Sequence, residues 1–280
     1  MTDTLQRFIF KDTCVQGKII RLDNTLKTIM QQHDFPFEIC DLLSQTLCAT
    51  VLLSAILKYD GQLTIQFQGD GPLKMLVAKC DNDYKVRGTA KWDEEHLQSN
   101  LKNDFENGEL VITIQKNKTN KRYQSIVKIN HQSISQSLED YFSQSEQLET
   151  RLWLAYDKNT QEAVGLLLQK LPDETEADMQ WQHIQVLANT LTDKELLSWD
   201  TEVLFNKLFN EETIQLFEPH PVSFYCPCSV EKMLNAITVL GEKEALSLLS
   251  ANRFVEVTCE YCNKHFEFDA DEVKRLFTRH

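Results

Sequence analysis

The residues best equipped for chemistry are four cysteines in the last quarter of the chain. They are Cys226 and Cys228 in Tyr-Cys-Pro-Cys-Ser, then Cys259 and Cys262 in Thr-Cys-Glu-Tyr-Cys-Asn. Thirty residues lie between the two pairs. Four thiolates at ~2.3 Å from one ion make a closed tetrahedral zinc site, and two short cysteine pairs brought together by a small fold supply them. The pattern is C-x-C followed by C-x-x-C. Zinc ribbons more commonly use C-x-x-C twice, so the tight first pair narrows the match. Spacing alone leaves two roles open: a structural knuckle that holds the C-terminus together, or a removable clamp whose thiolates are open to oxidation.

The other cysteines, Cys14, Cys40, Cys48 and Cys80, are scattered. Cys40 and Cys48 fall in an apolar helical stretch, where a buried thiol is a small hydrophobe. At 280 residues the chain can bury a full core and is read as two domains. A net charge of −13 argues against nucleic acid as a main partner, because phosphate binding needs clustered Lys and Arg. No apolar stretch follows a basic start, and no long apolar run is evident. The expectation is a cytoplasmic protein with neither signal peptide nor membrane span, whose cysteines are thiols or metal ligands.

The elements that must position these cysteines start with strands at Phe8 to Phe10 and Val15 to Leu22. Leu26, Ile29, Met30 and His33 then recur at helical spacing, with His33 read as a half-exposed surface residue. Pro36 can open a helix from Phe37 to Lys58 whose apolar residues, Leu57 among them, almost encircle it, so it is expected in the core. Tyr59-Asp60-Gly61 breaks that helix. Leu63 to Gln68 alternates as a strand, and Gly69-Asp-Gly-Pro-Leu73 turns into a second at Met75 to Cys80. No Lys-Ser/Thr follows that turn, which excludes a P-loop. Further strands are expected at Tyr84 to Ala90, Leu110 to Ile114, Tyr123 to Ile129, Leu152 to Tyr156 and Ala163 to Leu171, with a short helix at Gln136 to Gln144. The fold class is α+β: a mostly antiparallel sheet domain over residues 1–172 with helices packed on one side.

Composition shifts after Leu171. From Pro172 to Pro219 there are eleven acidic residues, two lysines and no arginine. Ile184, Leu187, Ala188 and Leu191 form a helical stripe, Thr192-Asp-Lys-Glu195 is a capping box, and Asp200 can cap a helix carrying Val203, Leu204, Leu208 and Phe209. Helices this short are marginal alone and need an apolar surface to lie on. Residues 173–219 are therefore read as an acidic helical linker with conditional order, and 220–280 as a small zinc-binding domain. There, Ser229 caps a helix that ends at Gly241, and a second runs from Glu242 to Ser250. Phe254 to Thr258 and Phe266 to Phe268 form a hairpin, and Asp269 to Phe277 a last helix. His265 is close enough in sequence to compete as a ligand but reads as an exposed hairpin residue. Lys274, Arg275, Arg279 and His280 read as favourable charges at a helix C-terminus.

Cys-Pro-Cys-Ser, an amphipathic helix reaching Leu240-Gly241, and Val-Thr-Cys-Glu-Tyr-Cys-Asn together resemble the zinc module of the 33 kDa chaperonin family, bacterial redox-regulated heat-shock holdases. Gly69 to Leu73 and the Gly165-Leu-Leu-Leu-Gln169 strand before Leu171-Pro172 look like two further landmarks of that family. Val164 and Phe266 depart from its usual glycine and tyrosine. The resemblance implies a non-enzymatic, ATP-independent chaperone that binds unfolding proteins under oxidative stress. It implies one Zn2+ held by Cys226, Cys228, Cys259 and Cys262 in a reduced monomer. On oxidation it implies disulfides Cys226–Cys228 and Cys259–Cys262, zinc release, unfolding of linker and zinc domain, and a homodimer.

Other classes fare worse. A zinc deaminase needs His-x-Glu with Pro-Cys-x-x-Cys, and Pro227-Cys228-Ser-Val lacks both. A thiol–disulfide oxidoreductase would use Cys259-x-x-Cys262 but leaves the first pair unexplained and lacks a βαβ context. An RNA- or ribosome-contacting ribbon is opposed by the acidity. Neither nucleic acid nor a membrane is expected as a partner.

Overall fold

A computed structural model describes residues 3–11, 13–56, 60–96, 108–117, 119, 121–129, 133–172 and 177–278. The chain divides into two compact units, Met1–Phe224 and Tyr225–His280.

The first unit begins with β1 (Thr4–Phe10), β2 (Val15–Leu22), α1 (Asn24–Met30), α2 (Phe37–Ser54), β3 (Gly61–Gln68), β4 (Leu73–Asp81), β5 (Lys85–Trp92), β6 (Glu109–Lys116) and β7 (Arg122–Lys128). It continues with α3 (Ile134–Tyr141) and a π-helical turn, then β8 (Thr150–Asp157), β9 (Glu162–Lys170), α4 (Ala177–Ala188), α5 (Asp193–Ser198) and α6 (Thr201–Leu208). Three short strands close it: β10 (Ile214–Leu216), β11 (His220–Pro221) and β12 (Ser223–Phe224). One six-stranded sheet has the order β10-β1-β2-β9-β8, with β11 also on β1; the other has the order β12-β5-β4-β3-β6-β7. Among the described residues only β12 on β5 is parallel. The α+β class and mostly antiparallel pairing expected from sequence are both present.

Strands β2 and β9 decide how the layers stack, because both of their faces are apolar. Ile20, Leu22, Ala163 and Leu167 look inward with α2 and the apolar face of the second sheet (Leu63, Ile65, Phe67, Leu76) in one cluster. Val15, Ile19, Val164, Leu166 and Leu168 look the other way, into a second cluster with Phe8, Phe10 and the helices α4–α6. Helices α1–α3 of residues 1–172 share the inner cluster, as expected, and the outer face of the first sheet is covered by α4–α6, because a strand apolar on both faces needs cover on both. Gly165 allows the inner layer to close, since a Cβ there would stand 3.0 Å from Leu52 of α2.

Helix α2 is the one helix among the described residues long and apolar enough to cross a membrane, and 67% of that span is buried inside the unit, as befits a core helix. Pro36 is its N-cap, one position before the first turn. The expected helix end at Leu57-Lys58, and Tyr59 beyond it, lie outside the described residues, as do Arg279 and His280. Helix α1 stops at Met30, so His33 belongs to the following turn, half-buried and 5.2 Å from the Phe35 ring. Cys14, Cys48 and Cys80 are buried thiols and Cys40 is partly buried. Burial pushes the Cys80 thiol up to about 12, and burial also raises Cys40, so both stay protonated.

The segment from α4 to β12 is built as its caps predict. Thr192 and Glu195 complete a capping box on α5, and Asp200 caps α6 through Val203 N–H at 2.8 Å. Its apolar side chains land on the outer face of the first sheet: Trp181, Ile184, Ala188, Leu191, Leu196, Leu204, Phe205, Leu208 and Phe209. Phe209 meets Phe10 edge to face at 4.9 Å. Two expectations needed correction. Val203 is exposed and Phe205 takes its place inside, because α6 turns its other edge to the sheet. Strands β10–β12 were missed altogether; they carry the chain along β1 and onto β5.

The second unit runs α7 (Val230–Leu240), α8 (Glu242–Ala251), β13 (Phe254–Thr258), β14 (His265–Asp269) and α9 (Ala270–Phe277). Its core is small: Ile237, Ala245, Val255, Phe266, Phe268 and Val273, with Cys259 among them.

Candidate metal centre

Each cysteine pair is presented by a local device. Cys226 and Cys228 precede α7, whose first turn is fixed by Ser229 Oγ accepting from Lys232 N–H at 3.3 Å. Lys232 Nζ also donates to the Pro227 carbonyl at 2.7 Å, pinning the residue between the two thiols. Cys259 and Cys262 occupy the turn joining β13 to β14. There Cys259 N–H donates to the Lys264 carbonyl at 3.0 Å and Asn263 N–H to the Cys259 carbonyl at 2.9 Å. Asn263 takes the left-handed conformation the turn requires, with φ 51°.

The two devices bring four sulfurs within 4.8 Å of one another. Cys226 Sγ is 3.6 Å from Cys259 Sγ, and Cys228 Sγ is 3.4 Å from Cys262 Sγ. Four ligands at ~2.3 Å around a tetrahedral ion stand about 3.8 Å apart, so the spacing fits a tetrathiolate centre. Both of these approaches run between the pairs, as edges of one tetrahedron. None is near the ~2.05 Å of a disulfide, and all four are free thiols.

The thiols of the cluster differ in proton affinity with their surroundings. Burial first, and hydrogen bonding to the Cys259 and Cys262 sulfurs next, hold the Cys226 thiol above its ordinary value. At Cys259 burial acts upward, but the N–H groups of Tyr261 and Cys262 and the neighbouring thiols outweigh it, and the net shift is downward. Burial raises Cys262. Cys259 is shifted toward the thiolate while Cys226 and Cys262 are shifted away from it, and four thiolates this close together are stabilised by a multivalent cation between them.

The structure thus gathers all four sequence-chosen cysteines into one group that could hold a metal ion. His265 stays outside it: exposed on β14, it shares a hydrogen bond with Thr258 Oγ1 at 2.9 Å. Cys259 and Cys262 sit in a turn between antiparallel strands, not at a helix N-terminus where a redox-catalytic thiolate is usually activated. Sequence reasoning missed two residues outside this centre. Trp181 extends the stripe of Ile184 and Ala188 by one turn and was legible. Arg21, buried on the outer face of β2, was not, because a charged residue inside a strand reads as solvent-facing.

Comparison with known proteins adds the following. The Hsp33 protein family model matches residues 3–269. A 33 kDa chaperonin of Nitrosococcus oceani is 41% identical over 276 residues, covering 99% of this chain and 94% of its own. One from Vibrio cholerae is 37% identical, covering 98% of this chain and 94% of its own. The crystal structure of the 33 kDa chaperonin from Thermotoga maritima superposes with a TM-score of 0.82 at 21% identity, covering 98% of this chain and 97% of that one, a likeness of fold.

Proposed function

The chain belongs to the Hsp33 family and is a molecular chaperone, and from that premise we propose that it is an ATP-independent holdase switched on by oxidation. A chaperone of this family binds unfolded client proteins. In the proposed scheme residues 1–172 bind clients and dimerise, 173–219 form a redox-sensitive linker, and 220–280 form the zinc switch. Zn2+ is the ion, held in the reduced monomer by Cys226, Cys228, Cys259 and Cys262. Oxidation pairs Cys226 with Cys228 and Cys259 with Cys262, releases the ion and leads to a dimer. The protein works in the cytoplasm, catalyses no reaction, and has neither nucleic acid nor membrane as a partner.

The observation that carries this reading is the crosswise packing of the four sulfurs, with contacts of 3.6 and 3.4 Å between the pairs. Zinc holds that arrangement; disulfides within the pairs are incompatible with it, because each sulfur must turn from the shared centre to its own partner. Energetics support the same reading. A structural zinc contributes ~10–16 kcal/mol of apparent binding free energy, whereas a unit of this size has roughly 3–8 kcal/mol of net stability. Its six-residue apolar core plus Cys259 cannot make up the loss of the ion.

The test is to treat zinc-loaded protein with peroxide at raised temperature and follow zinc, thiols and the light scattering of an aggregating client together. Release of zinc with loss of the cluster's thiols, and suppressed scattering, is the expected outcome. No gain over the reduced protein removes the proposal.

A further inference from the structure

Among the described residues, the buried side-chain atoms that find no hydrogen-bond partner are Nε and Nη1 of Arg21 and Nε1 of Trp181. Both residues stand in the layer between α4–α6 and the outer face of the first sheet. Arg21 pairs in register with Val164 of β9, whose side chain lies in that layer, and Trp181 of α4 packs there directly. Neither the inter-sheet core nor the core of the second unit holds such an atom among the described residues.

Arg21 is the more costly of the two. It is 8% exposed, and its one hydrogen bond runs from Nη2 to the carbonyl of Trp199, at the corner between α5 and α6. The counter-charges that act on it are Asp200 and Glu162, and burial outweighs their attraction. Asp200 is already occupied as the cap of α6. Lys207 brings a second cation to the same corner, 4.9 Å over the Trp199 ring. A guanidinium carries five N–H donors and keeps its charge at any working pH. Buried with a single acceptor, it forfeits solvation that water would restore once α5 and α6 lift away.

We propose that Arg21 sets the release threshold of the α4–α6 segment, its half-satisfied guanidinium holding the docked helices less tightly than their apolar packing alone would. This rests on the reading of residues 173–219 as the segment released on activation, and names a residue that governs that release from the sheet side.

The test is hydrogen exchange in the reduced, zinc-loaded full chain, comparing wild type with Arg21→Met, Arg21→Leu and Arg21→Lys. In both apolar variants the amides of α5 and α6 are expected to exchange about tenfold more slowly or better, since a buried ion replaced by an apolar side chain of similar volume commonly stabilises. Arg21→Lys keeps the charge and is expected to show no slowing, while β13 and β14 keep wild-type rates throughout. Faster exchange in α5 and α6 of both apolar variants, or their failure to fold, makes Arg21 a tether, and unchanged exchange makes it neutral; each outcome overturns the proposal. Exchange needs no client, so slowed exchange in a protein that never protects clients would sink the holdase reading and leave this inference standing.

Discussion

Phe8 of β1 and Phe205 of α6 bring their rings to 4.5 Å between centroids, tilted by 53°. Behind Phe8, Gly17 of β2 leaves the room the ring needs, for a Cβ there would fall 2.1 Å from it. This pair is the centre of the apolar layer that holds α4–α6 on the first sheet, and the layer responds to substitutions on either side.

Phe205→Ala removes one ring of the pair and leaves a void, a change that costs about 3–5 kcal/mol in a packed core. The reduced protein is expected to bind a hydrophobic dye at a lower temperature than wild type and to be cut by protease within residues 193–209, while its zinc content is unchanged. Loss of zinc in step with dye binding would contradict the independence of this apolar layer from the cysteine cluster.

Removal of the metal has the opposite locus. A strong chelator under reducing conditions is expected to unfold the second unit, seen as loss of amide protection in β13, β14 and α9. Strands β2 and β9, buried on both faces in the first unit, are expected to keep theirs. Cys228→Ser leaves three thiols of the cluster of four and is expected to lower zinc retention in a competition titration with a chromogenic chelator.

The cap of α7 links that unit's fold to its cysteine cluster. Ser229→Ala deletes the acceptor for Lys232 N–H and is expected to destabilise the helix by about 1 kcal/mol. Because Cys228 is the preceding residue, zinc release at a fixed chelator concentration should be faster than in wild type, and Ser229→Asp should restore the wild-type rate.

Lys18 gives the first unit a pH dependence of defined sign. The side chain is 2% exposed, and burial first, then the charge of Arg7, lower its pKa from 10.5 to about 8. Between those values the unfolded chain binds a proton that the folded chain does not, so this residue makes stability rise with pH from about 8 upward. Below pH 8 the buried charge exacts the full penalty, on the order of 3 kcal/mol. Lys18→Met should therefore raise the denaturation midpoint at pH 7 and flatten the rise between pH 8 and 9, measured by denaturant titration. Above pH 9 the Cys80 thiol, raised by burial from 9.0 to about 12, acts in the opposite direction. An equal slope in both proteins between pH 8 and 9 would rule Lys18 out as its source.

Much of the local structure could be read from short windows of sequence. The caps at Thr192, Asp200 and Ser229 lie where their side chains and the following residues foretold. The period-two run of β3 is half-buried as expected, and the glycine turn after it leads into β4. Strands β10–β12 offered no comparable signal: two or three residues cannot show a period, and they form because β1 and β5 present free edges. Val203 and Phe205 were ranked wrongly for a related reason. An apolar stripe has two possible edges, and only the surface it meets selects one.

The sequence by itself determined the thiol chemistry of the centre and which four cysteines compose it. Thiol type, pair spacing and helix caps are properties of a few consecutive residues, and they act wherever the chain goes. Only the tertiary structure decided that Cys226 faces Cys259 and Cys228 faces Cys262. It also decided that α2 lies between two sheets, and that Arg21 is sealed beneath the α5–α6 corner. Those relations join residues far apart in the chain, and their free energy comes from surfaces that exist only once both partners have folded.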